Sequence, residues 1–177
     1  MSTSDAALIA RVVATDDRHA FRTLVRRHQG TVRALLRRLT AGDDALADDL
    51  AQDTFLKAYR SLRGYRAQAK FSSWLYRIAY TTFISHRRTA KKAPLSLEDH
   101  VPSNPPQQDD TGAQLDLHRA MGSLRPEERA ALALTYAQEL TQTEAAEILG
   151  WPVGTLKTHV LRGKDKLRHR LKAYAVR

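Results

Sequence analysis

Apolar positions recur at helical spacing along most of this chain, and the clearest stripe lies near its end. Residues 141–172, TQTEAAEILGWPVGTLKTHVLRGKDKLRHRLK, read as a helix, a tight turn and a second helix. Thr141 can cap the first helix, and Glu144 three residues later closes a capping box. Ala145, Ile148 and Leu149 supply its buried stripe. Gly150 suits the left-handed residue that ends a helix, and Pro152 suits the first turn of the next. In the second helix Leu156, Val160, Leu167 and Leu171 fall near one face, while Thr155, Thr158, His159 and Arg162 follow the spacing of another. One face can hold the helix on its own core and the other can enter a DNA major groove, which is how a helix-turn-helix is built.

The first half repeats the pattern. Asp16 or Asp17 can cap a helix striped by Phe21, Leu24, Val25, Val32, Leu35, Leu36 and Leu39, which Gly42 interrupts. A second helix is expected from about Asp44 to Leu62, with Leu46, Leu50, Phe55, Ala58, Tyr59 and Leu62 largely inward. After the loop GYRAQAKFS, a third is expected from about Ser72 to Arg88, with Trp74, Leu75, Ile78 and Ala79 on the core. Few β-branched runs and abundant Ala, Leu and Arg favour an all-α fold.

Charge turns this outline into a function class. The formal net charge is +10 over 177 residues, which points to a polyanionic partner. Residues 1–92 hold 18 Lys or Arg against 8 acids, and residues 114–177 hold 11 against 7. Between them, residues 93–113 hold 4 acids, no Lys or Arg, and four of the six prolines. That composition reads as an acidic, flexible linker, so the expected organisation is two small helical domains, 1–92 and 114–177, joined by a tether at 93–113. Beyond Trp151 the cations Lys157, Arg162, Lys164, Lys166, Arg168, Arg170, Lys172 and Arg177 face a single acid, Asp165. A solvated helical hairpin usually mixes signs, whereas a one-signed stripe is the footprint of a phosphate-contacting surface.

Other classes fall away. There are no cysteines, so disulfide frameworks and thiolate metal sites are excluded, and the seven histidines show no H-x-x-x-H spacing. The apolar stretches are too short to span a bilayer and the N-terminus lacks a signal-peptide layout, so a cytoplasmic protein with no membrane insertion is expected. The acids suit no catalytic pair, and neither enzyme activity, a small-molecule substrate, a metal nor a cofactor is expected.

Two features of the first half stand out. Between Ala41 and Leu56 there are five Asp and no Lys or Arg. Carboxylates near a helix N-terminus complement its dipole, but Asp53 lies deep inside, so a docking patch for a basic surface is the alternative. The loop and helix that follow are basic and aromatic, with Tyr65, Arg66, Lys70, Phe71, Trp74, Tyr76, Arg77, Tyr80, His86, Arg87 and Arg88. Phe71 and Trp74 read as core; the remainder, taken as exposed, is the mixture that tracks single strands by stacking and phosphate contact.

DLAQDTFL at 49–56, FSSWLYRIA at 71–79, HRR at 86–88, LRPEERAAL and LTQTEAAEILGWPVGTLKTHV together resemble, in order, a bacterial RNA polymerase sigma factor of the extracytoplasmic-function class in the sigma-70 family. The first segments resemble region 2 and the last region 4. The resemblance implies an alternative sigma factor that binds core RNA polymerase, recognises the −35 and −10 promoter elements and promotes melting. Asp48, Asp49, Gln52, Asp53 and Phe55 lie where the family docks on the coiled coil of the largest polymerase subunit. The loop Arg66 to Lys70 lies where an unstacked −10 base is captured. The helix after it, with Arg77, Tyr80, Thr81, Arg87 and Arg88, lies where the non-template strand is tracked. Thr155, Lys157, Thr158, His159, Arg162 and Lys164 belong to the helix that reads duplex −35 DNA. The tether acids Glu98, Asp99, Asp109 and Asp110 would suit a basic polymerase channel leading to the RNA exit path. Members of the class are commonly held by an anti-sigma factor, which would be a further partner.

There are departures from the family pattern. Thr81 and Ser85 stand where Asn and Asp are frequent, and Lys157-Thr158-His159 replaces a frequent Lys-Ser-Arg. His for Arg loses a bidentate guanine fork, worth about 1–3 kcal/mol of discrimination. Two alternatives are a conventional helix-turn-helix regulator, which binds an operator without polymerase, and a sigma-like decoy that titrates an anti-sigma factor.

Overall fold

A computed structural model describes residues 3–92, 117 and 119–174, and the expected tether at 93–113, with its four acids, lies outside the described residues. The described residues form helices and no strand. Four helices make the first half: α1 (Asp5–Thr15), α2 (Arg18–Leu39), α3 (Asp44–Ser61) and α4 (Phe71–Lys92). The second half has a helical stretch at 119–122 and then α5 (Pro126–Leu132), which widens into a π turn at Ala133–Ala137, α6 (Gln142–Leu149) and α7 (Val153–Tyr174).

The helix ends follow local chemistry. Asp17, rather than Asp16, caps α2, its carboxylate accepting from the His19 and Ala20 amides at 3.0 Å. Asp16 instead ends α1 in the left-handed conformation, at φ 54°. Asp43 caps α3 by accepting from Leu46 N–H at 3.0 Å. At α6 the expected capping box is present: Glu144 N–H donates to Thr141 Oγ1 at 3.2 Å, and Thr141 N–H donates to Glu144 Oε2 at 2.9 Å. Gly150 closes that helix at φ 70°. At only eight residues α6 is too short to persist alone, since isolated helices under about 12 residues are marginal in water. Burial of Ala145, Ala146, Ile148 and Leu149 holds it.

Helix α1 is not among the elements that the apolar pattern predicts. Ser4 caps it, and Leu8, Ile9 and Val12 put one short stripe on the core. Asp5 ties it down, accepting from Arg27 at 2.8 Å and meeting His28 Nε2 at 2.7 Å.

The expected stripe of α2 is buried from Leu24 through Leu39, although Phe21 and Val25 at its start are only partly covered. One continuous apolar core joins the two halves, running from Leu35 and Leu75 to Leu132, Ile148 and Leu156. Helix α4 packs on α2, α3 and α6, and α2 also touches α5. The two halves thus lie against each other in space.

Within the second half, a buried carboxylate fixes α5 to α7. Glu128 is 2 % exposed. It accepts from Arg125 N–H at 3.0 Å and from Lys166 Nζ at 2.7 and 2.8 Å. Desolvation is the largest effect on this carboxyl and raises its pKa, but the Lys166 hydrogen bond, the Arg125 amide and the two cations together bring it below the ordinary value. Close by, a Cβ on Gly163 would stand 2.8 Å from Leu132 Cδ1 and 3.4 Å from Glu128 Cβ. Gly163 therefore sets how closely the two helices approach.

This contact can be tested from both sides. Gly163→Ala should destabilise the protein by about 1–3 kcal/mol in urea unfolding, because overpacking beside buried Leu132 exceeds the roughly 1 kcal/mol that Ala gains over Gly in a helix. Glu128→Gln should cost about 1–2 kcal/mol at neutral pH. A lowered native pKa contributes stability above the ordinary value of 4.5 and loses it as pH falls below. The wild-type advantage over Gln should accordingly shrink on acidification; an advantage constant across that range would refute the assignment.

Candidate functional site

Three surfaces carry the residues singled out above. The first is the outer face of α3. Of its five aspartates, Asp43 caps the helix, Asp44 pairs with Arg37 at 2.8 Å, and Asp48 accepts from Nε and Nη2 of Arg33. That pairing raises the Arg33 pKa, chiefly through the Asp48 hydrogen bond. Asp49, Gln52 and Asp53 are exposed at i, i+3 and i+4, so they share one face, and no ion pair links these two carboxylates to the described cations. Leu56 completes this face at i+7 and is 55 % exposed. Sequence reasoning misses it; an apolar residue one turn beyond Gln52 and Asp53 is the available signal. Phe55 is half-buried in the groove between α2 and α3, which Phe21, Val25, Tyr59 and the exposed Gln52 and Leu56 also line. The result is an open apolar groove beside two free carboxylates.

The second surface is the loop 65–70 and the first turns of α4. Tyr65 donates to the Ala69 carbonyl at 2.7 Å, folding the loop on itself, and Ala67 takes a left-handed φ of 53°. Arg66 and Lys70 are exposed at its rim, and Arg77 and Thr81 are exposed on α4. The aromatic expectation needs correction. Tyr76 and Tyr80 are buried, and burial pushes the Tyr80 phenol up to about 12, so it stays neutral. The rings that remain reachable are Tyr65 and Trp74, the latter a residue that its spacing assigns to the core. They lie 5.3 Å apart, and Trp74 also stacks on buried Phe71 at 5.5 Å. Helical spacing alone cannot tell the half-exposed Trp74 from the buried Tyr80, because both lie at the edge of the apolar stripe. Arg87 folds over the Phe83 ring at 5.8 Å, while Arg88 is exposed.

The third surface is the outer face of α7. Its inner face is as expected, with Leu156 and Val160 buried and Leu167 and Leu171 half-buried. Thr155, Lys157, Thr158 and Arg162 are exposed together. Between them stands Leu161, 63 % exposed, an apolar side chain of the kind that meets a thymine methyl in the major groove. His159 does not join this face: it is half-buried, with its ring 5.1 Å from that of Trp151 and Nδ1 without a hydrogen-bond partner. Lys164 turns aside to Tyr136 on the π turn, with Nζ 3.3 Å from the hydroxyl.

Among the described residues no helix is long and apolar enough to cross a membrane, and no three His, Asp or Glu are grouped to hold a metal.

Known proteins share this arrangement. The family described as Sigma-70 region 2 matches residues 24–93, and Sigma-70, region 4 matches residues 114–167. The chain is 37 % identical to the ECF RNA polymerase sigma factor SigM of Mycobacterium tuberculosis, over 93 % of this chain and 83 % of that protein. It is 30 % identical to the ECF RNA polymerase sigma factor SigW of Bacillus subtilis, over 90 % and 93 %. Among solved structures, it resembles the sigma factor RpoE of Bartonella quintana in complex with the anti-sigma factor NepR, at a TM-score of 0.72 and 27 % identity, over 86 % of this chain and 96 % of that one. It resembles CnrH in complex with the cytosolic domain of CnrY at a TM-score of 0.69 and 27 % identity, over 96 % and 97 %. With both sigma-70 regions matched in order and that degree of identity across most of the length of these relatives, the chain belongs to the ECF RNA polymerase sigma factors.

Proposed function

We propose that this protein is an alternative sigma factor that docks on core RNA polymerase through the face of α3 and holds promoter DNA at two points. The observation that carries the docking assignment is the pair of free carboxylates, Asp49 and Asp53, beside exposed Leu56 in a chain of net charge +10. Capping and local ion pairs account for Asp43, Asp44 and Asp48 but not for these two. A basic polymerase surface carrying an apolar side chain would complement them.

Domain boundaries at 1–92 and 114–177, with an acidic tether between them in the sequence, fit this division of labour. The loop Arg66–Lys70 with Trp74 and Arg77 receives an extruded −10 base, stacking on the ring while the cations hold phosphates. Unstacking costs a few kcal/mol, so promoter steps that unstack readily are favoured. Thr155, Lys157, Thr158, Leu161 and Arg162 enter the −35 major groove. Two weak grips joined through one chain and polymerase reach useful affinity by effective concentration. The protein works in the cytoplasm, contributes no catalytic group or cofactor, and is a candidate for capture by an anti-sigma factor, as RpoE is captured by NepR in its complex.

Run-off transcription with core polymerase and genomic fragments tests the reading; absence of specific transcripts would overturn it. Asp49→Arg with Asp53→Arg, and separately Leu56→Arg, should abolish co-purification with core while circular dichroism stays unchanged. Retained binding would refute the docking face. Lys157→Ala and Arg162→Ala should each lower promoter use about tenfold or more, whereas Lys172→Ala, beyond the reading face, should have little effect. Equal losses in all three variants would mean that the groove-facing register is wrong.

A further inference from the structure

A single exposed leucine is ordinary on a protein surface. Leu161 differs in its surroundings. It lies at i+4 from Lys157 and i+3 from Thr158, 63 % exposed on the outer face of α7. The polar groups around it are committed elsewhere. Thr158 Oγ1 donates to the Gly154 carbonyl at 3.0 Å, so its proton serves the helix backbone and its methyl is left to the groove. His159 is half-buried, its ring 5.1 Å from that of Trp151. Lys164 Nζ lies 3.3 Å from the Tyr136 hydroxyl and 5.3 Å from the centre of that ring. Asp165, the single acid of α7, meets Arg168 at 3.1 Å. What remains outward is an apolar pair, Thr158 and Leu161, between exposed Lys157 and Arg162.

That arrangement selects a partner group. In the major groove thymine presents a C5 methyl, whereas cytosine presents an amino donor that a carboxylate would have to receive. The apolar pair suits the methyl, and no free carboxylate stands beside it for the amine. Lys157 and Arg162 on either side supply what a duplex asks of any binder, cations for guanine edges or phosphates. We propose that Leu161, with the Thr158 methyl, is a specificity-determining contact that reads the C5 methyl of one thymine in the −35 element. This rests on the reading of α7 as the −35 helix, and it adds the base and the atom that are read. The cations hold duplex DNA of any sequence, and the methyl contact separates thymine from cytosine.

Deoxyuridine lacks only that methyl and pairs as thymidine does, so the contact can be tested one group at a time. Core polymerase carrying the full chain is bound to a promoter found by run-off transcription. Each thymine in the upstream half of that promoter, on either strand, is replaced singly by deoxyuridine, and affinity is measured by filter retention. One thymine should stand out, its replacement weakening binding about fourfold, the loss expected when one methyl leaves an apolar contact. Leu161→Ala should bind the unmodified promoter about fourfold more weakly, and deoxyuridine at that position should then cost little more. Leu161→Met keeps the side-chain volume and should restore the discrimination. Lys157→Ala should weaken binding to both duplexes alike and leave their ratio unchanged.

Leu161 is exposed on a helix that alanine favours, so its replacement leaves the fold in place, which circular dichroism checks. A methyl that acts only through the shape of the duplex would keep its full effect in Leu161→Ala, and that result would overturn the proposal. Specific transcripts from a promoter with no methyl-sensitive thymine would remove this contact and leave the sigma reading standing. Absence of specific transcripts from the wild type would remove both.

Discussion

Helix α4 has to satisfy two sets of neighbours at once, and the arrangement of both halves depends on it. One side, with Phe71, Leu75 and Ala79, is buried against α2 and α3. The flank that carries Arg77 and Tyr80 lies against α6 and Trp151. A 22-residue helix is about 33 Å long, enough to hold a core along its length while offering several turns to a second partner. The α6 side of that contact mixes the Arg77 hydrogen bond with the ring contact of Tyr80 and Trp151.

Electrostatics is sorted by position rather than by amount. The chain is strongly basic, yet most of its carboxylates have local partners. Asp17 and Asp43 cap helices, Asp44, Asp48 and Glu128 bridge to cations, and Glu144 and Glu147 line a cleft opposite Lys70 and Arg77. Asp49 and Asp53 remain as the outward-facing pair. On α7 the cations left exposed at Lys157 and Arg162 project beyond a core of Leu156 and Val160. The buried Glu128–Lys166 contact and the missing side chain at Gly163 set how that helix sits on α5.

Much of this is legible in local rules alone. The capping box at Thr141, the left-handed Gly150 and the apolar stripe of α7 each follow from interactions between residues only a few positions apart, which a sequence displays directly. The same is true of the limits of α3. Helix α1 escapes such rules because its stripe is only three residues, Leu8, Ile9 and Val12, and its anchor, Asp5 to Arg27 and His28, spans more than twenty positions. Tyr80 is buried where an exposed ring is expected, for a related reason: periodicity gives the direction of a side chain around its own helix, not what stands opposite.

The sequence by itself determined an all-helical chain, the three charged surfaces and their order, because helix periodicity, capping and charge are written in near neighbours. Only the tertiary structure decided which of those residues are free to act. Packing of α6 on α4 sets Tyr80 against Trp151 and brings Glu147 to Arg77, the latter across seventy positions of sequence. Contacts at that separation are chosen by the shape of the whole core, and no local pattern encodes them.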